Sequence, residues 1–220
     1  MKKQILNELY NPKLASFQDG SFTISENDEN AFVKSVSFNL PGAKFLVLGE
    51  SLWNTTENIY TEKSEHFQFR RKCDGVVICS YQEQKYIIWI ELKSSFNEIF
   101  EDAIFQLSGC YVKMKSYLKN FETFNSTEYK ELGIVISQQD KKTVNDLVQN
   151  RRTDNTNTAI QKCRSHYRLN NQILLRGEDF GIEKLHLAPF IKLNELPVYF
   201  QPVTQRHTQN IDLASILQTI

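Results

Sequence analysis

Cys73-Asp74-Gly75-Val76-Val77-Ile78-Cys79, followed after a polar break by Tyr86-Ile87-Ile88-Trp89-Ile90-Glu91-Leu92-Lys93, is the stretch that decides the fold of this chain. Both halves are β-branched and aromatic and residues 80–85 between them are polar, so the pair reads as two antiparallel strands. A turn centred on Gln82 and Glu83 opposes Val77 to Ile88, Val76 to Trp89 and, at the open end, Asp74 to Glu91. Residues opposed on one face lie about 4.5–5.5 Å apart. Strand alternation returns Lys93 to the face of Glu91. Two carboxylates and a lysine thus converge at one end of an apolar hairpin, where crowding charges costs stability. A metal ion accounts for that cost most directly.

Asp74 and Glu91 offer oxygen donors to a hard divalent cation, Mg²⁺ or Mn²⁺, which keeps further positions for water and a phosphate. Such a cation polarises phosphorus and acidifies a bound water. Lys93 is placed to orient or deprotonate that water, or to offset charge on the phosphate in the transition state. On these residues the chain resembles the PD-(D/E)xK nucleases of the restriction-endonuclease-like fold. Their signature is an Asp at the start of one core strand and E-x-K at the end of the next, here Asp74 and Glu91-Leu92-Lys93. The residue before Asp74 is Cys73 where the family name has proline, a position without chemistry in this scheme. E-x-K alone carries nothing, since Glu83-Gln84-Lys85 and Glu128-Tyr129-Lys130 also fit, but both lie in polar surroundings. The plain alternative is a strand-end salt bridge between Glu91 and Lys93, with Asp74 an ordinary turn residue.

The resemblance spans about residues 66–136 and implies an α/β fold, a central mixed β-sheet flanked by helices around a restriction-endonuclease-like core. It implies a Mg²⁺-dependent nuclease, a phosphodiesterase acting on DNA more readily than RNA, in restriction or phage defence. Asp74, Glu91 and the Leu92 backbone carbonyl would then hold metal, and Lys93 would serve the attacking water. The family often adds a Glu from an N-terminal helix, for which Glu50 and Glu29 are the candidates. One branch carries a Gln followed four residues later by Tyr beside the active site. Here Gln106 is followed at that step by Cys110, with Tyr111 one residue later. The competing class is a non-catalytic subunit that keeps the fold and binds nucleic acid or a partner protein, in a homo-oligomer or a larger defence complex.

With 220 residues, 40% of them hydrophobic, the chain can bury one sizeable core. Three segments are expected within one compact domain: an N-terminal extension (1–65), the nuclease-like core (66–136), and a basic segment with a C-terminal lobe (137–220). Lys+Arg and Asp+Glu both total 26, so attraction to nucleic acid must come from local patches. Residues 19–65 carry a net −5 and residues 141–168 a net +5. Arg70, Arg71 and Lys72 beside Asp74, Lys113 on the following helix, and Arg151, Arg152 and Arg164 are the candidate phosphate contacts. A solvated turn and a solvated loop are the plain alternatives. Cys73, Cys79, Cys110 and Cys163 lack paired zinc spacing and are expected to be reduced, buried and structural. Met1-Lys2-Lys3 leads into a segment too polar for a signal peptide, and no membrane span is present. A cytoplasmic protein is expected.

Elsewhere the reading is coarser. Phe22-Thr23-Ile24 and Ala31-Phe32-Val33 flank an acidic turn and suggest a hairpin, and Pro41-Gly42 is expected to break the chain before the strand Lys44-Phe45-Leu46-Val47-Leu48. His66-Phe67-Gln68-Phe69-Arg70 alternates and is the expected neighbour of the strand entered at Asp74. Phe100, Ile104, Leu107, Tyr111, Met114 and Leu118 recur at helical spacing and form a core stripe. Beside it Asp102, Gln106, Gly109 and Lys113 form a polar stripe of the kind that faces solvent, and Lys113, Lys115 and Lys119 make its far end basic. Leu132-Gly133-Ile134-Val135-Ile136 reads as the buried strand after that helix. Residues 172–175 and 185–191 are possible strands, with Pro189, Pro197 and Pro202 restricting them to edges. Ile211, Ala214 and Leu217 suggest a closing helix capped by Asn210.

Overall fold

The structure is a computed structural model that describes residues 15–49, 72–94, 102–119, 125–138, 173–180, 193–203 and 207–218. The chain runs through β1 (Ala15–Ser25), β2 (Val33–Gly49), β3 (Gly75–Tyr81), β4 (Gln84–Lys93), α1 (Ile104–Leu118), β5 (Tyr129–Ser137), β6 (Ile173–Arg176), β7 (Glu195–Pro202), β8 (His207–Asp212) and α2 (Leu213–Leu217). Together the strands form one mixed eight-stranded sheet in the order β1-β2-β3-β4-β5-β7-β6, with β8 added beside β2. Few helices accompany it among the described residues. The sheet draws strands from all three expected segments.

The β3–β4 hairpin has the expected register, Val76 with Trp89 and Val77 with Ile88. Its turn residues Gln82 and Glu83 both have positive φ, 47° and 66°, as the two-residue type I′ connection requires. From Tyr86 to Leu92 every residue of β4 is buried, the near-continuous apolar run of a strand covered on both faces. On one face Ile88, Ile90 and Leu92 join Leu132, Ile134 and Ile136 of β5 and Leu213, Ile216 and Leu217 of α2 in the main core. Phe22 stacks on Phe38 at 4.8 Å within the same core. On the other face α1 packs, with the Trp89 and Tyr111 rings 5.0 Å apart. β4 and β5 are parallel, so the chain crosses through α1 to return in the same direction.

Several expectations give way to longer-range packing. β3 is flanked by β2 and β4 along Gly75 to Ser80, so the neighbour expected at His66 to Arg70 is in fact residues 44–49; residues 66–70 lie outside the described ones. β2 does not stop at Pro41-Gly42. Residues 40–43 stand opposite Gly20 of β1, and Gly42 takes the bend at φ 82° while pairing resumes beyond it. One strand therefore serves β8 with its first half and β3 with its second.

β7 is interior, despite Pro197 and Pro202. Among the described residues it pairs with β6 up to Val198 and with β5 from Val198 onward, so each proline there meets a described neighbour on one side. The closing helix is capped by Asp212, not Asn210, which lies in β8; the Ala214 N–H donates to Asp212 Oδ1 at 3.1 Å. Residues 185–191 and the proposed start of α1 at Phe100 lie outside the described residues. No described helix is long and apolar enough to cross a membrane.

Candidate active site at the open end of the β3–β4 hairpin

Continuing the β3–β4 ladder by one pair beyond Gly75 and Ile90 sets Asp74 opposite Glu91. Asp74 Oδ2 accepts the Leu92 N–H at 2.7 Å, which closes the end of the hairpin and fixes that carboxylate. Glu91 is 0% exposed and Lys93 Nζ lies 2.8 Å from its Oε1. Lys93 also reaches Asp102 Oδ2, in the turn leading into α1, at 3.1 Å. The ammonium is thus bracketed by two carboxylates.

Burial drives the electrostatics. It raises Glu91 well above the ordinary carboxylate range, and the Asp74 charge adds to this while Lys93 opposes it. Asp74 is pushed up to about 7, first by burial and then by the Glu26 carboxylate, with the Leu92 N–H and Lys93 pulling the other way. For Lys93, burial would depress the ammonium, but Glu91 and Asp102 outweigh it and hold the group above the usual lysine value. Among the described residues, Glu91 Oε2 has no hydrogen-bond partner and Oε1 has only its ion pair. Gln106 Oε1 and Ser137 Oγ are likewise buried and find no partner among the described residues. Ser137 is the register partner of Lys93, and Gln106 follows Asp102 by one helical turn. Unsatisfied buried oxygens of this kind are what a cation or ordered water relieves.

Glu26 and Asp102 join the site without having been singled out for it. Asp102 belongs to the polar helix stripe one turn before Gln106, so helical spacing alone could have found it. Glu26 has no local signal. It arrives because Ile24 packs onto Gly75 so closely that a Cβ there would meet Ile24 Cδ1 at 2.4 Å. Glu26, just past the end of β1 and two residues further along, is thereby brought close enough to act on Asp74. The hairpin loop is held there by the Phe32 N–H, which donates to Ser94 Oγ at 3.1 Å.

Other candidates fall differently. Lys113, expected as a surface contact, is 1% exposed, and Lys115 is buried too, ion-paired with Glu131. Neither presents a basic surface, because α1 is buried well beyond its apolar stripe: Ser108, Gly109 and Cys110 are also covered. Tyr111, whose hydroxyl donates to Glu131 Oε2 at 2.8 Å, stands in that same network. Lys72 is half-buried just ahead of Cys73. Glu29 is exposed in the β1–β2 loop. Glu50, Arg70, Arg71, Arg151, Arg152 and Arg164 lie outside the described residues. Three cysteines are buried free thiols: Cys73, Cys79 and Cys110. Cys163 lies outside the described residues.

Among the described residues, no group of three or more His, Cys, Asp or Glu stands within metal-holding range. The Asp74–Glu91 pair offers carboxylate oxygen only, the donor type that Mg²⁺ and Mn²⁺ prefer. Its orphaned oxygens fit such an ion, with water completing the coordination. No family model, curated protein or solved structure matches this chain.

Proposed function

We propose that the protein is a divalent-metal-dependent nuclease that hydrolyses phosphodiester bonds, with DNA the preferred substrate. One observation carries the reading: a fully buried Glu91 with an orphaned carboxylate oxygen, paired with Lys93 and set opposite Asp74. The topology supports it as well. Antiparallel β2-β3-β4, then α1, then β5 parallel to β4 fits the mixed sheet with a helical crossover that the resemblance implies.

In this reading Asp74, Glu91 and the Leu92 carbonyl hold a Mg²⁺ or Mn²⁺ ion, with Glu50 a further candidate. When bound, that ion polarises the phosphate and acidifies the attacking water. Lys93 keeps its proton, because Glu91 and Asp102 stabilise the ammonium, so it orients the water and offsets phosphate charge instead of acting as a base. Gln106 orients a neighbouring group from α1. Arg70, Arg71, Lys72, Arg151, Arg152 and Arg164 supply backbone contacts. A place in restriction or phage defence rests on the motif alone.

The non-catalytic subunit remains the second reading, favoured by one observation: Lys93 is already neutralised by two carboxylates, as in a structural ion-pair cluster. Calorimetric titration with Mn²⁺ separates the two. The nuclease reading expects saturable binding that Glu91→Gln removes. A folded wild-type protein that binds no Mn²⁺ would leave the cluster as a structural one.

A further inference from the structure

Cys73 Sγ and Cys110 Sγ are 2.7 Å apart in the buried space between the start of β3 and α1. The two free thiols are in direct contact, with the Cys73 S–H donating to Cys110 Sγ. Cys73 Sγ also lies 3.4 Å from the Gly75 carbonyl oxygen, which holds the side chain on its own strand. The two residues are 37 positions apart in the chain, so no local turn forces them together. Packing of α1 on the sheet does. Disulfides demand this kind of preset approach, because two cysteines whose backbones stand too far apart cannot be joined without moving them.

We propose that Cys73 and Cys110 are a redox-active pair that closes to an intramolecular disulfide, with a peroxide as the two-electron acceptor. Hydrogen peroxide is small and uncharged, which suits a pair closed to bulky disulfide reagents. One sulfur attacks the O–O bond, takes one oxygen as a sulfenic acid and releases water. The second sulfur then attacks the sulfenic sulfur, forming the S–S bond and expelling the oxygen as a second water. Two thiols and one peroxide become one disulfide and two waters. The bridge joins the residue before Asp74 to the residue one helical turn after Gln106, so it ties the entry of β3 to α1 beside the Asp74 and Glu91 carboxylates. This inference does not rest on the nuclease reading.

The test treats the full chain with hydrogen peroxide beside reduced glutathione as an internal gauge, then alkylates under denaturing conditions and maps peptides. Of the four cysteines, two are expected to resist alkylation, to appear as one Cys73–Cys110 linked peptide, and to return on dithiothreitol. Cys79→Ser should leave the linked peptide in place, and Cys110→Ser should remove it. Four alkylated thiols at a dose that has oxidised the glutathione would overturn the proposal. So would a bridge to Cys79 or Cys163, or sulfinic acid formed without a bridge.

Discussion

Lys93 is 11% exposed and touches Glu91 and Asp102, so its replacement acts on charge more than on packing. Removing one partner of a buried ion pair costs about 3–5 kcal/mol when the other stays charged. Glu91 is already raised by burial and would take up a proton once the ammonium is gone. Lys93→Met is therefore expected to be mild at low pH and increasingly destabilising as pH rises, read as the wild-type minus variant thermal midpoint across a pH series. A pH-independent difference would mean that Glu91 does not feel the ammonium. Asp74 supplies a second pH test. Its folded value, about 7, lies above its unfolded value, so the native state binds the proton more tightly. Its contribution to stability is full below about pH 4 and is lost as pH rises through 7. Metal-free wild type should lose thermal stability across that window and Asp74→Asn should flatten the slope. Parallel curves would contradict the burial of that carboxylate.

At the scale of elements, α1 can close over β5 because Gly133 has no side chain. A Cβ there would lie 2.9 Å from Val198 Cγ2 and 3.3 Å from Leu107 Cδ1. Gly133→Ala is expected to cost about 1–3 kcal/mol in urea unfolding, as overpacking does. No loss would mean that Val198 of β7 and Leu107 of α1 give way without cost. The β3–β4 register was legible in advance because a two-residue turn and alternating strands leave a single pairing that buries both apolar runs. The core stripe of α1 was legible for the same kind of reason, a period of 3.6. The burial of Lys113 was not, since periodicity finds the most apolar stripe but not how much more of the helix is covered. Glu26 was illegible because a contact between Ile24 and Gly75, some fifty positions apart, delivers it. The prolines of β7 misled because the rule concerns unpaired sides, and among the described residues β7 changes neighbours at Val198.

For the whole molecule, balanced totals of 26 cations and 26 anions remove any general attraction to DNA, and the sequence separates charge into an acidic segment before the hairpin and a basic one at 141–168. Affinity for a polyanion should therefore depend on few residues and strongly on salt. Arg151→Glu with Arg152→Glu is expected to weaken DNA binding and flatten the slope of log K against log salt, measured by fluorescence anisotropy. An unchanged slope would return these arginines to a solvated loop. The central claim is tested most directly by incubating purified protein with plasmid DNA and Mg²⁺ or Mn²⁺, alone, with EDTA, and with Lys93→Met in parallel at a pH where the variant is folded. The account predicts cleavage by wild type, none with EDTA, and none by the variant at any metal concentration, because added metal supplies no ammonium group. Intact plasmid with metal-loaded wild type, or cleavage by Lys93→Met at the wild-type rate, would contradict it.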